Sequence, residues 1–187
     1  IGSSIARAAR KSGISEKVVA ADADSSCCSA VETLKIADVV TSDIRQSVIG
    51  ADLVVLCVPV GAFAEIGQVI GPALKPGAVV TDTGSVKQSI IDSFQEWVPE
   101  SCSFVPGHPI AGTEHSGPES GFAELFENRW CILTPSPDTN IKAVEAVTKF
   151  WEAFGVFIKE GVATDFTDRE KMHATLQQLQ DSRATRG

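Results

Sequence analysis

Ile1-Gly-Ser-Ser-Ile-Ala-Arg-Ala-Ala-Arg-Lys-Ser-Gly13, followed by Lys17-Val-Val-Ala-Ala-Asp22, is the stretch on which the architecture turns. The first run has helical spacing and closes at Gly13, a residue suited to the left-handed position past a helix end. The second reads as a buried strand ending in a carboxylate. Downstream the alternation continues, with helices over 25–36, 44–49, 60–70 and 86–98 and strands over 38–41, 52–58 and 77–82. Gly61 and Gly67 are expected to loosen the helix over 60–70. The strand Asp52-Leu-Val-Val-Leu-Cys-Val58 is a continuous apolar run, as expected where both faces of a sheet are covered. Repeated β-α pairs with short connections predict an α/β fold with a doubly wound, mostly parallel sheet.

Composition sets limits on partners. Of 187 residues, 43% are apolar and 21% charged, ordinary for a domain with a sizeable core. The net charge of −8, with no Lys/Arg block, argues against nucleic acid and against an anionic membrane surface. Cys27, Cys28, Cys57, Cys102 and Cys131 form no CxxC pair, which predicts reduced thiols in a cytoplasmic protein. His108 and His115 are separated by a Gly-containing segment, so no metal-ligand spacing is expected. The longest apolar run, 53–64, is too short to span a bilayer. No signal peptide is read, and the chain starts at Ile rather than Met.

The opening helix and strand fit the second half of a Rossmann-type dinucleotide-binding unit. There a Gly opens the helix so that it packs closely on the sheet, and an acidic residue about 20 positions on holds the ribose 2′-OH. Gly2 and Asp22 stand at that spacing. An ordinary helix-strand pair has the same pattern. On the cofactor reading, Asp22 favours NAD over NADP, since a carboxylate repels a 2′-phosphate and no Arg stands at 23 or 24. The preceding strand and first two glycines of the motif would then lie upstream of Ile1.

Two further stretches carry candidate chemistry. Phe104-Val-Pro-Gly-His-Pro-Ile-Ala-Gly-Thr-Glu-His-Ser-Gly117 is punctuated by Gly and Pro, which predicts a turning backbone with His108 presented from a stiff loop. Such a His suits proton transfer near neutral pH, or merely hydrogen-bonds its own turn. In Thr81-Asp-Thr-Gly-Ser-Val-Lys87, Ser85 with Gln88 makes a capping box. Alternatively, or in addition, the Ser85 hydroxyl faces a cofactor and orients a nearby His. Because ligands bind beyond the carboxyl ends of parallel strands, Pro59, the 82–85 turn and His108 are expected on one edge. Beyond them come a short helix to 127, a strand over 129–134, a helix over 141–154 and a strand over 155–158. The 141–154 helix carries Val144, Val147, Phe150 and Trp151 on one side and reads as core. Residues 164–180 start another helix, and 181–187 form a polar tail expected to be disordered.

Ile1-Gly-Ser-Ser-Ile-Ala-Arg-Ala, Thr81-Asp-Thr-Gly-Ser-Val-Lys87 and Gly107-His-Pro-Ile-Ala-Gly-Thr-Glu-His-Ser-Gly117 together resemble the prephenate/arogenate (cyclohexadienyl) dehydrogenase family of tyrosine biosynthesis. The resemblance runs over about residues 1–170 and implies an NAD(P)-dependent oxidative decarboxylation. It makes His108 the base that takes the ring hydroxyl proton and Ser85 the residue that steadies it and contacts the nicotinamide side. It sets Gly2, Asp22, Pro59 and Ser85 around the cofactor. Thr113 and Glu114 match positions lining the substrate pocket, and His115 stands where the family usually carries a basic residue. The family's second, helical domain supplies dimer contacts and an Arg for the substrate carboxylate. Thr167-Asp-Arg169 resembles its start, but the residues after Lys171 find no match. The expected organisation is a nucleotide-binding domain over 1–162 lacking its first strand, then the beginning of a helical dimerisation domain over 163–187. Such a fragment is expected to show no prephenate turnover and poor NAD binding by itself, its parent being a homodimer.

Two other functions share parts of this pattern. A β-hydroxyacid or imine reductase would use a Lys from a later helix, with Lys142 and Lys171 the candidates. A non-catalytic dinucleotide-binding module would be stabilised by NAD without redox turnover.

Overall fold

The computed structural model describes residues 1–113 and 115–161. Helix α1 (Gly2–Ser12) buries Ile5, Ala8 and Ala9, an i, i+3, i+4 stripe, and ends at Gly13 with φ 69°, whose N–H donates to the Ala9 carbonyl at 3.1 Å. After it come β1 (Val19–Ala21), α2 (Ser25–Thr33), β2 (Val39–Thr41), α3 (Ile44–Ser47), β3 (Leu53–Leu56), α4 (Phe63–Ile70), β4 (Val79–Asp82) and α5 (Lys87–Phe94). The second half contains β5 (Ser103–Val105), β6 (Gly107–Pro109), β7 (Trp130–Leu133), α6 (Ile141–Glu152) and β8 (Phe157–Glu160). The candidate second domain over 163–187, with Lys171, lies outside the described residues.

The strands hydrogen-bond in three groups, β1-β2, β3-β4-β5 and β6-β7-β8, and only the β6-β7 pairing is antiparallel among them. In β4 every residue is buried, and alternate side chains serve two cores. Val79, with Val105 of β5, packs beneath α1 and α6, whereas Val80, with Phe104, packs beneath α4 and α5. Helices on both faces of a parallel sheet make the arrangement doubly wound. Val18, Leu53 and Val55 all pack against the core to which α1 contributes.

Two expectations need correction. The first strand is not buried: Val19 and Ala21 are exposed and Ala20 half-buried. Among the described residues β1 hydrogen-bonds β2 alone, so it is covered less than β4. Nor does Gly67 loosen α4. A Cβ there would lie 2.7 Å from the Trp97 ring, and one at Gly71 would lie 2.2 Å from the Trp97 carbonyl oxygen. These glycines are the seat of Trp97. Since backbone cannot yield as a side-chain tip can, Gly71→Ala should cost about 2–3 kcal/mol by overpacking. Gly61→Ala, in open space, should stay within about 0.5 kcal/mol. Paired urea melts of the two variants would measure this.

Candidate active site

The register of the central sheet sets the level of the site. Leu56 pairs with Asp82 and Thr81 with Val105, so β3, β4 and β5 end together at their carboxyl edge. Pro59 follows β3 as an exposed residue opening a 3-10 turn, and Thr83 N–H donates to the Leu56 carbonyl at 3.1 Å. Pro59, the 82–85 turn and His108 therefore share one edge, as expected.

His108 is not on a loop. It is the middle residue of β6, paired with Ile132 of β7. The Thr134 N–H donates to Pro106 O (3.0 Å) and Ile110 N–H to Trp130 O (2.7 Å), making 106/134 and 110/130 hydrogen-bonded pairs. By the antiparallel alternation, Gly107 and Pro109 occupy non-hydrogen-bonded positions, so the missing N–H of Pro109 costs the ladder nothing. Pro106 separates β5 from β6, and the chain changes sheet there. Punctuation that reads as a loop is thus a short strand carrying the His on one face, opposite the face that Cys131 and Leu133 give to the core.

Gly107 faces the central feature of the site. Its N–H donates to Asp82 Oδ1 at 3.0 Å, and its carbonyl accepts from Lys87 Nζ at 2.6 Å. Lys87 Nζ also donates to Asp82 Oδ2, which accepts from Gly84 N–H at 2.8 Å. Both ionic side chains are fully buried. Burial pushes the Asp82 carboxyl up and the Lys87 ammonium down, opposed by their mutual attraction and hydrogen bonds. Every polar partner of the carboxylate is a donor, which is the environment of an ion pair. Losing one member of such a pair typically costs about 3–5 kcal/mol.

Burial, and secondarily the Lys87 charge, lowers the His108 pKa from 6.5 to about 4. The imidazole is consequently neutral at pH 7. Its Nδ1 is buried without a hydrogen-bond partner among the described residues, as is Trp130 Nε1. Ser85 therefore does not hold Nδ1, and it does not cap α5 either. Val86 is the N-cap residue, with no side-chain cap bond, and Gln88 donates to Asp92 instead. The capping box fails because Asp82 organises this turn through Gly84 N–H, leaving Ser85 exposed on its rim.

The remaining candidates are spread along the edge. Gly2 opens α1, where a Cβ would stand 3.3 Å from Cys57 Cβ, so glycine lets this turn sit against the end of β3. The N-cap residue Ile1 makes no side-chain cap bond to the first-turn N–H groups, the kind of donors an anion uses at a helix start. Asp22, exposed just past β1, uses Oδ1 to accept from Asp24 N–H at 2.9 Å. Thr113 donates to His115 O at 3.2 Å, and both residues are exposed. Glu114 lies outside the described residues. A pocket of about 300 Å³ lies directly after β6, lined by Ile110, Ala111, Gly112, Leu125 and Arg129. A larger one of about 400 Å³, lined in part by Arg7, Arg10 and Lys35, flanks later turns of α1 rather than its Gly2 end. Lys142 is exposed in the first turn of α6, its N–H bonded to the Asn140 cap. Among the described residues no His, Cys, Asp and Glu cluster could hold a metal, and no helix is long and apolar enough to cross a membrane.

Asp82 and Lys87 were not singled out from sequence, though a signal exists. Lys87 is the first residue of α5, where the helix dipole disfavours a cation, so its presence calls for a nearby anion.

A doubly wound parallel sheet with a glycine-started helix lacking a side-chain cap and a carboxylate one strand on defines a dinucleotide-binding domain of Rossmann type. Residues 5–160 match the family described as prephenate dehydrogenase, nucleotide-binding domain, and the chain belongs to that family. It is 42% identical over 155 residues to the cyclohexadienyl dehydrogenase of Zymomonas mobilis, covering 83% of this chain and 53% of that one. Among solved structures, prephenate dehydrogenase from Aquifex aeolicus, in complex with hydroxyphenyl propionate and NAD+, aligns with TM-score 0.80 and 34% identity over 87% of this chain and 57% of that one. Synechocystis arogenate dehydrogenase aligns with TM-score 0.80 and 27% identity over 88% and 57%. The chain thus spans about half the length of these relatives.

Proposed function

We propose that this chain is the dinucleotide-binding part of an NAD-dependent dehydrogenase. The reaction is oxidative decarboxylation of prephenate to 4-hydroxyphenylpyruvate, or of arogenate to tyrosine. The observation that carries this reading is the neutral imidazole of His108, held one residue from a buried ion pair at the carboxyl edge of the sheet. Relatives named for both substrates support it.

The residues present fit the cofactor. Gly2 and the first turn of α1 suit a pyrophosphate, Asp22 the ribose hydroxyls, and Pro59 and Ser85 the nicotinamide end. Bound NAD supplies the hydride acceptor. His108, neutral at pH 7, accepts the proton of the substrate's ring hydroxyl, which assists departure of hydride from the same carbon. Loss of the ring carboxylate as CO2 completes an aromatic product, so the residues mainly position and orient. The exposed Ser85 hydroxyl contacts the nicotinamide side and steadies the imidazole when ligands are bound. Thr113, Glu114 and His115 are assigned to the substrate side by their match to the family's loop. The whole protein acts as a homodimer in the cytoplasm.

A protein containing this chain and as long as its relatives should form NADH from prephenate or arogenate. Absence of turnover on both substrates with NAD+ and NADP+ would exclude the reading. In the same assay Asp22→Ala should lower the NAD-over-NADP preference roughly 10- to 100-fold, the value of one hydrogen bond to a charged group. An unchanged preference would remove Asp22 from the cofactor site.

A further inference from the structure

We propose that Asp82 and Lys87 are positioning residues for His108, gripping both polar groups of Gly107 and so fixing where the imidazole stands at the carboxyl edge. The inference rests on reading His108 as the proton acceptor. Gly107 pairs with Leu133 at a non-hydrogen-bonded position, so its N–H and C=O point away from β7 and need partners elsewhere. Asp82 Oδ1 takes the N–H at 3.0 Å and Lys87 Nζ takes the C=O at 2.6 Å. The backbone entering His108 is thereby tied to the end of β4 and the start of α5.

Close packing around the pair requires a glycine in each of the two sequence stretches. A Cβ at Gly84 would lie 2.3 Å from Ile90 Cδ1 and 3.1 Å from Asp82 Oδ2. One at Gly107 would lie 2.9 Å from the Asp82 carbonyl oxygen and 3.1 Å from Thr81 Oγ1. Thr81-Asp-Thr-Gly-Ser-Val-Lys87 and Gly107-His108 are therefore two halves of one device. A fold needing only to join β5 to β6 would be served as well by apolar side chains, because desolvating two charges offsets much of their attraction. The charged group acting on the His108 ring is Lys87 from α5, itself paired with Asp82 at the end of β4, whereas Cys131 of β7 lies on the opposite face and meets the His108 backbone. Burial pushes the Cys131 thiol far up, so it is uncharged, and the Lys87 ammonium favours the neutral imidazole.

The test is an NMR titration of the His108 ring in the chain itself, in K87M and in the apolar double variant D82L/K87M. The double variant leaves no buried unpaired charge and carries the test if K87M does not fold. With the clamp gone, the His108 ring resonances should shift and broaden. Its pKa should rise from about 4 toward the ordinary 6.5, because the Lys87 charge that helps to lower it is gone. Exchange of the Gly107 amide should quicken by about tenfold or more. In the full-length enzyme kcat should fall with little change in KM for NAD. A folded double variant whose His108 resonances and titration match the unaltered chain would overturn the inference, whatever its melting temperature. These readouts need no turnover. An inactive full-length protein would therefore sink the dehydrogenase reading while leaving the clamp to be judged by His108 alone.

Discussion

Replacing His108 by Asn in the full-length protein should lower kcat/KM about 100- to 10,000-fold, the usual weight of a positioned general base. Asn keeps a polar group on β6 but cannot take a proton, so NAD affinity should change little. The pH profile is a second check. In the free enzyme the imidazole titrates at about 4 rather than 6.5, so kcat/KM should show no loss from this group as pH falls from 7 to 5. An acid limb near 6.5 that disappears in His108→Asn would mean that the imidazole is solvated and the site arranged differently. Stability carries the same signature. Between pH 6.5 and 4 the unfolded chain binds a proton at this His and the folded chain does not, so stability is fully present above 6.5 and falls as pH drops toward 4. The loss is at most about 3 kcal/mol and should be absent from His108→Asn. Urea melts at pH 7 and pH 4.5 should therefore show the unaltered protein losing up to about 3 kcal/mol more than His108→Asn over that interval.

The sheet was legible because its signals are local. The apolar runs before Pro59 and Asp82, the Gly13 stop and the stripe of α6 each report on one element, and each stands where its pattern puts it. The candidate site was legible as a set of residues but not as an arrangement. His108 reads as a loop residue because Gly107, Pro106 and Pro109 dominate its neighbourhood. That β6 tolerates them depends on its pairing with β7, twenty-odd residues away. Ser85 reads as a cap because the local pattern allows it, and the turn is taken instead by a carboxylate whose partners lie on α5 and β6. Gly67 reads as a weakness in α4 because Trp97 is thirty residues off. In each case the physics that decides is a contact between distant segments, which a single sequence does not spell out.

The second large effect concerns the packing beneath β5, β7 and α6. Trp151→Ala should destabilise the domain by about 3–5 kcal/mol. The side chain is fully buried, with its ring edge-on to Phe126 at 5.4 Å, Phe150 at 5.6 Å and Phe154 at 5.9 Å between centroids. Phe150 and Phe154 also contact each other at 4.7 Å, so these rings support one another and cannot all close over the space left by an indole. At 2–4 °C per kcal/mol for a domain of this size, the melting temperature should fall by roughly 6–20 °C. Ile141→Ala on the same helix, at 66% exposure, should move it by less than about 2 °C. Trp151→Phe separates ring volume from polarity. The indole N–H has no hydrogen-bond partner among the described residues, so Phe removes an unpaired donor while keeping one aromatic ring. It should recover more than half of the alanine loss. If it costs as much as alanine, the indole N–H has a partner, bound water included, and the cluster is held by a hydrogen bond as well as by packing. The same cluster contains Val105, Cys131 and Leu133, the residues that flank His108 from behind. Trp151→Ala should accordingly also speed exchange at the Gly107 and His108 amides, tying the stability of this core to the definition of the site above it.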